Sequence, residues 1–197
     1  MVGYLHITLG PMFAGKTKQL ITKYYEASRE KNVVAINYYL DTRYGDNKIV
    51  SHDLIEIPCI MVENIMDIWF DSKNPHYHEL NDADYILINE GQFFKNLDIV
   101  VRSMVECGKK VFIYALDGDF KREKFGEILD LIPYCDYVEK KTAFCEKCYN
   151  KALFTHKNNI AENSEQVDIG VTNYKPLCRK CYDKENPVIC EIISPVD

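Results

Sequence analysis

The sequence lacks four features, each of which is typical of a distinct class of protein. It has no low-complexity segment and no internal repeat, so it belongs to neither the biased nor the repetitive chains. No apolar run approaches membrane-spanning length, and we therefore expect no membrane partner. The chain also opens on a β-rich run without a basic and apolar leader, which favours a cytoplasmic location. With 197 residues, 47% of them hydrophobic, we expect one main globular domain with a small appendage.

An excess of basic residues is also missing. The chain carries 24 Lys and Arg against 30 Asp and Glu, a formal net charge of −6. A nucleic-acid backbone is held mainly by clustered Lys and Arg, so this balance argues against a nucleic-acid partner. A small anionic ligand in a local pocket stays compatible with it.

Cysteine, in contrast, is plentiful, and four of the eight cysteines form two C-x-x-C pairs. These are Cys145 with Cys148 and Cys178 with Cys181. Four thiolates in this arrangement can close a tetrahedral Zn²⁺ site with no open position, which predicts a structural metal at the base of a long loop, roughly residues 155–176. A redox pair or unrelated free thiols are the alternative.

The strongest motif is G-x-x-x-x-G-K-[ST] at residues 10–17, directly after an apolar run. Its glycines allow a tight turn with inward N–H groups, and the following helix adds its positive end, so the loop suits phosphate. Lys16 is expected to reach the β- and γ-phosphates, and the Thr17 hydroxyl to ligate Mg²⁺. A chance match in a glycine-containing turn is disfavoured by the strand before it and the helix after it. The loop consists of Gly10, Pro11, Met12, Phe13, Ala14, Gly15, Lys16 and Thr17.

Strand and helix patterns alternate after this loop. We predict a helix over 17–31, a strand over 33–38, a buried strand over 85–90, a helix over 99–108, a strand over 110–116 and a last strand over 134–139. The fold class is therefore α/β, a P-loop NTPase-type parallel sheet flanked by helices. Composition changes near Lys141, which predicts a nucleotide-binding domain at 1–141 and a zinc-binding domain at 142–197.

Two segments follow the carboxyl ends of predicted strands, the edge at which parallel-sheet proteins bind their ligands. Asp41 and Arg43 follow the second strand, where a role in the site and a solvated ion pair on a surface loop are equally compatible. Asn89 and Glu90 end the buried strand 85–90, with its tip at the phosphate site. His52, further along, is interpreted as an ordinary loop residue.

Joined in this order, the motifs closely resemble those of the type II thymidine kinases. The shared features are the phosphate loop, residues 41–44, 89–94 and 115–120, Phe125 with Gly126, and both cysteine pairs. The resemblance implies transfer of the γ-phosphoryl group of ATP to the 5′-hydroxyl of thymidine, with Mg²⁺ and a structural Zn²⁺. It also implies a homotetramer, feedback inhibition by thymidine triphosphate, and a zinc-based loop, the lasso, that closes over the nucleoside.

The resemblance also implies roles for single residues. Glu90 corresponds to the base that accepts the hydroxyl proton, Arg43 to the arginine that spreads charge on the transferred group, and Asp41 to a residue orienting that arginine or a metal-bound water. Asn89 replaces the usual Asp and offers Mg²⁺ less charge. The thymine pocket would use the side chains of Met12, Gln92, Phe93, Leu116, Phe120, Phe125, Thr155 and Tyr174, and the backbone of Val167, Asp168, Ile169 and Gly170.

Three alternatives stay open. A P-loop regulator without catalysis is suggested by Asn89 and opposed by Glu90 and Arg43. A zinc-ribbon nucleic-acid adaptor is opposed by the acidic loop residues Glu162 and Glu165. A broader deoxynucleoside kinase would also accept deoxyuridine or deoxycytidine.

Overall fold

The centre of the structure is a six-stranded parallel sheet. The computed structural model describes residues 2–41, 45, 47–158 and 173–187. Its strands are β1 (Tyr4–Leu9), β2 (Val33–Tyr38), β3 (Lys48–Val50), β4 (Glu56–Pro58), β5 (Ile60–Val62), β6 (Tyr85–Asn89), β7 (Lys110–Ala115), β8 (Tyr137–Lys140), β9 (Ala143–Phe144), β10 (Lys151–Ala152), β11 (Phe154–Lys157) and β12 (Tyr174–Leu177). The sheet has the order β5-β2-β6-β7-β1-β8, while β3-β4, β9-β10 and β11-β12 are antiparallel pairs.

The helices cover both faces of this sheet. They are α1 (Lys16–Ala27), α2 (Met66–Trp69), α3 (Tyr77–Asp82), α4 (Leu97–Glu106) and α5 (Arg179–Glu185), with 3₁₀ turns at Gly91–Phe93 and Ile128–Tyr134. On one face Ile86 and Ile88 belong to the larger core cluster with α4, and on the other Leu87 lies in a cluster with Leu20 and Ile21 of α1. Successive residues of a strand point to opposite faces of the sheet. Because both faces are covered here, β6 has apolar residues at consecutive positions.

The strand register brings the candidate functional segments to one edge. β1 pairs with β7 from Tyr4 and Lys110 to Leu9 and Ala115, and β6 pairs with β7 from Tyr85 onward. The carboxyl ends of β1, β6 and β7 therefore finish side by side. The phosphate loop, Glu90 and Leu116 each follow one of these three ends.

The predicted α/β fold class is confirmed by this topology, with shifts at element ends. The first helix ends at Ala27 and not near residue 31. The last strand of the sheet begins at Tyr137 because residues 128–134 form a 3₁₀ turn that contains Pro133. The division at Lys141 stays a prediction. Within the described residues, no helix is both long and apolar enough to cross a bilayer.

We expect Ile113→Ala to lower the free energy of unfolding by about 2–5 kcal/mol, because it leaves a cavity in the central strand β7. Ile113 is fully buried, whereas Ile99 on α4 is about half exposed. The matched change Ile99→Ala should stay within about 0.5 kcal/mol of the unaltered chain. Urea unfolding measures both, and equal losses in the two variants would contradict this assignment of the core.

Candidate active site

The phosphate loop connects β1 to α1 through left-handed backbone. Gly10, Phe13 and Gly15 have φ of 146°, 63° and 74°. A Cβ on Gly10 would lie 2.7 Å from the carbonyl oxygen of Lys141, so a side chain there would collide with the backbone. Phe13 has a left-handed backbone conformation, which is strained for any residue other than glycine. Such strain concentrates at functional sites.

The Lys16 side chain is folded into this loop. Its Nζ donates to the carbonyl oxygens of Gly10 at 3.0 Å and Pro11 at 2.8 Å, and the residue is buried. Thr17 follows in the first turn of α1. The ammonium group and the helix N-terminus thus lie together where an anionic oxygen is favoured.

A cavity of about 410 Å³ joins the loop to two other segments. One wall is the loop itself with Leu116 and Glu90, and the opposite wall is the β3-β4 turn. Lys18 on α1 holds this turn by a 2.6 Å ion pair with Asp53, and the Phe13 and His52 rings face each other at 5.9 Å. His52, interpreted from the sequence as an ordinary loop residue, therefore lines the cavity. The lining residues are Met12, Phe13, Ala14, Gly15, Lys16, Thr17, Lys18, Ser51, His52, Asp53, Glu90 and Leu116.

A larger groove of about 700 Å³ lies beside α1 and contains His6, Lys23, Phe112 and Tyr114. None of the described residues that line it belongs to the predicted site. Its size alone does not make it the reactive centre, since the phosphate loop and Glu90 line the smaller cavity.

Glu90 lies at the end of β6 in left-handed conformation, with φ 51° and ψ 42°. This turn ends the strand and starts the 3₁₀ turn that carries Gln92 and Phe93. The Gln92 side chain contacts the Glu90 carboxylate and the Leu116 backbone. The geometry thus brings together Glu90, Gln92 and Leu116, three residues to which the family resemblance assigns roles; those roles stay a prediction.

Asn89, Asn37 and Asp41 form a buried chain of hydrogen bonds. Asn89 Nδ2 donates to Asn37 Oδ1 at 2.9 Å, and Asn37 Nδ2 donates to Asp41 Oδ2 at 3.2 Å. Asp41 is only 8% exposed, which disfavours a solvated surface ion pair. Sequence reasoning missed Asn37, whose only local signal is its place near the end of β2. Arg43 lies outside the described residues.

Cys59, half-buried after β4, does not contribute a nucleophile here. Burial, and to a lesser extent the Asp41 charge, raise the pKa of the Cys59 thiol to about 12. Since the thiolate is the reactive form, this thiol is inert at neutral pH.

Several residues predicted for the thymine pocket contact one another in pairs. The rings of Phe93 and Phe125 touch edge to face at 5.5 Å, and the Met12 N–H donates to Thr155 Oγ1 at 3.0 Å. Lys157, which sequence reasoning missed, places its Nζ 5.3 Å from the ring centre of Phe120 and 5.9 Å from that of Tyr174. The backbone positions predicted to read the base lie outside the described residues; they are Val167, Asp168, Ile169 and Gly170.

The four cysteines of the two C-x-x-C pairs come together, as predicted. Their Sγ atoms all lie within 4.8 Å of one another, a spacing that fits one tetrahedral zinc ion. Burial acts to raise the pKa of Cys145, but backbone hydrogen bonds from Cys178, Lys147 and Cys148 outweigh it and lower the pKa to about 6. Partial burial and hydrogen bonds within the cluster raise the pKa of Cys181 to about 12. A bound cation would allow all four thiols to ionise at this distance.

The cysteine cluster is connected by α5 to Phe120, one of the residues predicted for the thymine pocket. Tyr182 Oη donates to the Phe120 carbonyl at 2.5 Å. Arg122, two residues beyond Phe120, forms a 2.9 Å ion pair with Asp183 and lies over the Tyr182 ring. Helix α5 begins right after Cys178, so the metal ligands, α5 and the Phe120 backbone form one continuous set of contacts.

A phosphate loop at the end of a parallel-sheet strand, with a carboxylate at the end of the next strand but one, is typical of the P-loop class of phosphate-handling proteins. Within this class the chain belongs to the thymidine kinase family, whose model matches residues 3–182.

Named relatives agree with this assignment over nearly the whole chain. The chain is 39% identical over 186 residues to a thymidine kinase of Yaba monkey tumor virus, covering 93% of this chain and 97% of that one. It is 37% identical over 189 residues to thymidine kinase a of Arabidopsis thaliana, covering 95% and 78% of the two chains. With thymidine kinase 1 of Dictyostelium discoideum it shares 33% over 193 residues, covering 94% and 80%.

We expect the purified protein to hold about one zinc ion per chain, and Cys148→Ser to lose it. Because α5 supports Phe120, loss of the metal should raise the thymidine KM more than the ATP KM. Metal analysis and steady-state kinetics measure both effects. Cys107→Ser, which changes an exposed thiol outside the cluster, serves as the control. Full zinc content in the Cys148 variant would contradict a four-thiolate site.

Proposed function

We propose that this chain transfers the γ-phosphoryl group of ATP to the 5′-hydroxyl of thymidine, giving thymidine monophosphate and ADP. Family membership makes it a kinase of the thymidine kinase type. The observation that carries the detailed reaction is the cavity shared by the phosphate loop, Glu90 and Leu116. It allows a donor on the loop and an acceptor hydroxyl to occupy one cavity, as in-line phosphoryl transfer requires.

Lys16 and Glu90 have complementary roles in this proposal. Lys16 exchanges its backbone carbonyl partners for the β- and γ-phosphate oxygens and offsets the charge that develops on the transferred group. Glu90 orients the 5′-hydroxyl and accepts its proton late in the reaction. Arg43 is proposed to spread the remaining charge, with Asp41 as its orienting partner.

Mg²⁺ is assigned to Thr17 and the phosphates, with Asn89 contributing a neutral oxygen. Mg²⁺ keeps several waters and takes few protein ligands, so a site with one hydroxyl and one amide oxygen suits it. Held by Thr17 and Asn89, the cation would supply charge neutralisation at the phosphate group that is transferred. Asn89 already donates its N–H to Asn37, which leaves its amide oxygen as the atom that can face a cation.

The thymine pocket is assigned to the aromatic and apolar group around Phe93, Phe120, Phe125 and Tyr174. An apolar slot suits the ring face and the methyl group of thymine. Backbone groups of residues 167–170 are proposed to read the edge of thymine from a loop, the lasso, whose two ends the zinc ion holds together.

From the resemblance to the type II thymidine kinases we also propose a division into 1–141 and 142–197, a homotetramer, thymidine triphosphate as feedback inhibitor, and a cytoplasmic location.

With ATP and Mg²⁺, we expect fast phosphorylation of thymidine, weaker use of deoxyuridine and poor use of deoxycytidine. Loss of the methyl group is worth about 1–3 kcal/mol, whereas cytosine mismatches the donors and acceptors that read an imide. Glu90→Gln should lower kcat by about 10²–10⁴-fold. Parallel assays of product formation measure all three nucleosides.

Glu30→Gln is the matched control, because Glu30 is exposed beyond the end of α1. It should leave thymidine turnover unchanged. No turnover of any nucleoside by the unaltered chain, together with tight ATP binding, would instead favour the P-loop regulator without catalysis.

We expect Asn89→Asp to lower the Mg²⁺ concentration needed for half-maximal activity, because a carboxylate binds Mg²⁺ more strongly than an amide. The same change removes the N–H that donates to Asn37 and should cost about 1–3 kcal/mol of stability. Magnesium titrations of activity and thermal unfolding measure the two effects. Asn81→Asp is the control, because it removes an amide donor to the Tyr77 carbonyl within α3 and does not alter the phosphate loop. An unchanged magnesium dependence would contradict the assignment of Asn89 to the Mg²⁺ site.

A further inference from the structure

The Gln92 side chain is held at both ends by other parts of the protein. It is 3% exposed, and its Nε2 donates to Glu90 Oε2 at 2.7 Å. Its Oε1 accepts the backbone N–H of Leu116 at 3.0 Å. One amide group therefore connects the ends of β6 and β7.

The direction of this amide is fixed by chemistry. A backbone N–H can only donate, so the atom facing Leu116 must be the oxygen. The amide nitrogen then faces Glu90, where an ionised carboxylate can only accept. Both contacts are satisfied in this orientation and both would be lost if the amide were turned over.

The backbone of Gln92 is equally confined. Gly126 approaches it so closely that an added Cβ would lie 2.1 Å from the Gln92 carbonyl oxygen. On the other side, Glu90 is in left-handed conformation and starts the turn that carries Gln92. The residue is thus confined between two strand ends and the loop that carries Phe125, and its amide cannot turn toward a ligand without breaking both of its hydrogen bonds.

We propose that Gln92 is a positioning residue that sets the direction of the Glu90 carboxylate, and that it does not read the thymine base. The inference rests on the proposed function, in which Glu90 accepts the hydroxyl proton. A carboxyl group is planar, so holding one oxygen toward Gln92 also sets the direction of the other. A hydrogen bond to an ionised acceptor is stronger than one between neutral groups, which suits it to this task.

The test is Gln92→Met, which retains the side-chain length and removes both hydrogen bonds. We expect kcat to fall by up to about 100-fold, the range known for small misplacements of catalytic groups, with little change in the thymidine KM. In a Glu90→Gln background the same substitution should lower kcat little further, because the group that Gln92 positions is already disabled.

Gln19→Met is the matched control. Gln19 also bridges two groups by its amide, with Nε2 donating to Glu139 at 3.0 Å and Oε1 accepting from Lys141 at 3.0 Å. Its loss should leave the thymidine kcat unchanged. If Gln92→Met does not fold, as judged by thermal unfolding, Gln92→Asn replaces it; this amide is too short to reach both partners and should show the same fall in kcat.

Any of three results would overturn the proposal. A rise in the thymidine KM at constant kcat would mean that Gln92 contacts the thymine base. Losses of kcat that add fully in the double variant would mean that Gln92 does not act through Glu90. Absence of thymidine turnover in the unaltered chain would defeat the proposed function as well, and it is recognised before any variant is made.

Discussion

The parallel register of β1, β6 and β7 is the constraint on which the candidate site depends. Because these strands run side by side and end together, the phosphate loop, Glu90 and Leu116 meet although they are far apart in the chain. Apolar clusters on both faces hold the three strands in place. The arrangement at this edge therefore relies on the core below it, and a slip of one strand would separate the phosphate loop from Glu90.

The cysteine cluster extends this organisation to the segment after the sheet. Its ligands hold α5, and α5 holds the Phe120 carbonyl and Arg122 through Tyr182 and Asp183. A four-thiolate site has no open coordination position, so such a metal acts on the reaction only through geometry. An apolar core and a cysteine cluster, two different sources of stability, thus both support the proposed thymine pocket.

Local sequence patterns predicted what depends on local structure. The phosphate loop, the buried strand ending at Asn89, and the two cysteine pairs each carry their signal within a few residues. The Asn37 link to Asn89 spans 52 positions and the Met12 contact with Thr155 spans 143, so each arises only from the folded topology. The residues of the thymine pocket are predicted from the family resemblance, because an apolar side chain in a sequence does not show whether it lines a pocket or packs in the core.

The fold of Lys16 onto the carbonyls of Gly10 and Pro11 has a consequence for ligand selection. The ammonium group is already solvated by the protein, so an entering molecule must offer better oxygens than two peptide carbonyls. Neutral molecules cannot do this, whereas a polyphosphate replaces weak dipoles with full negative charge. In the proposed function, this contact makes the loop favour a guest that carries negative charge over a neutral one.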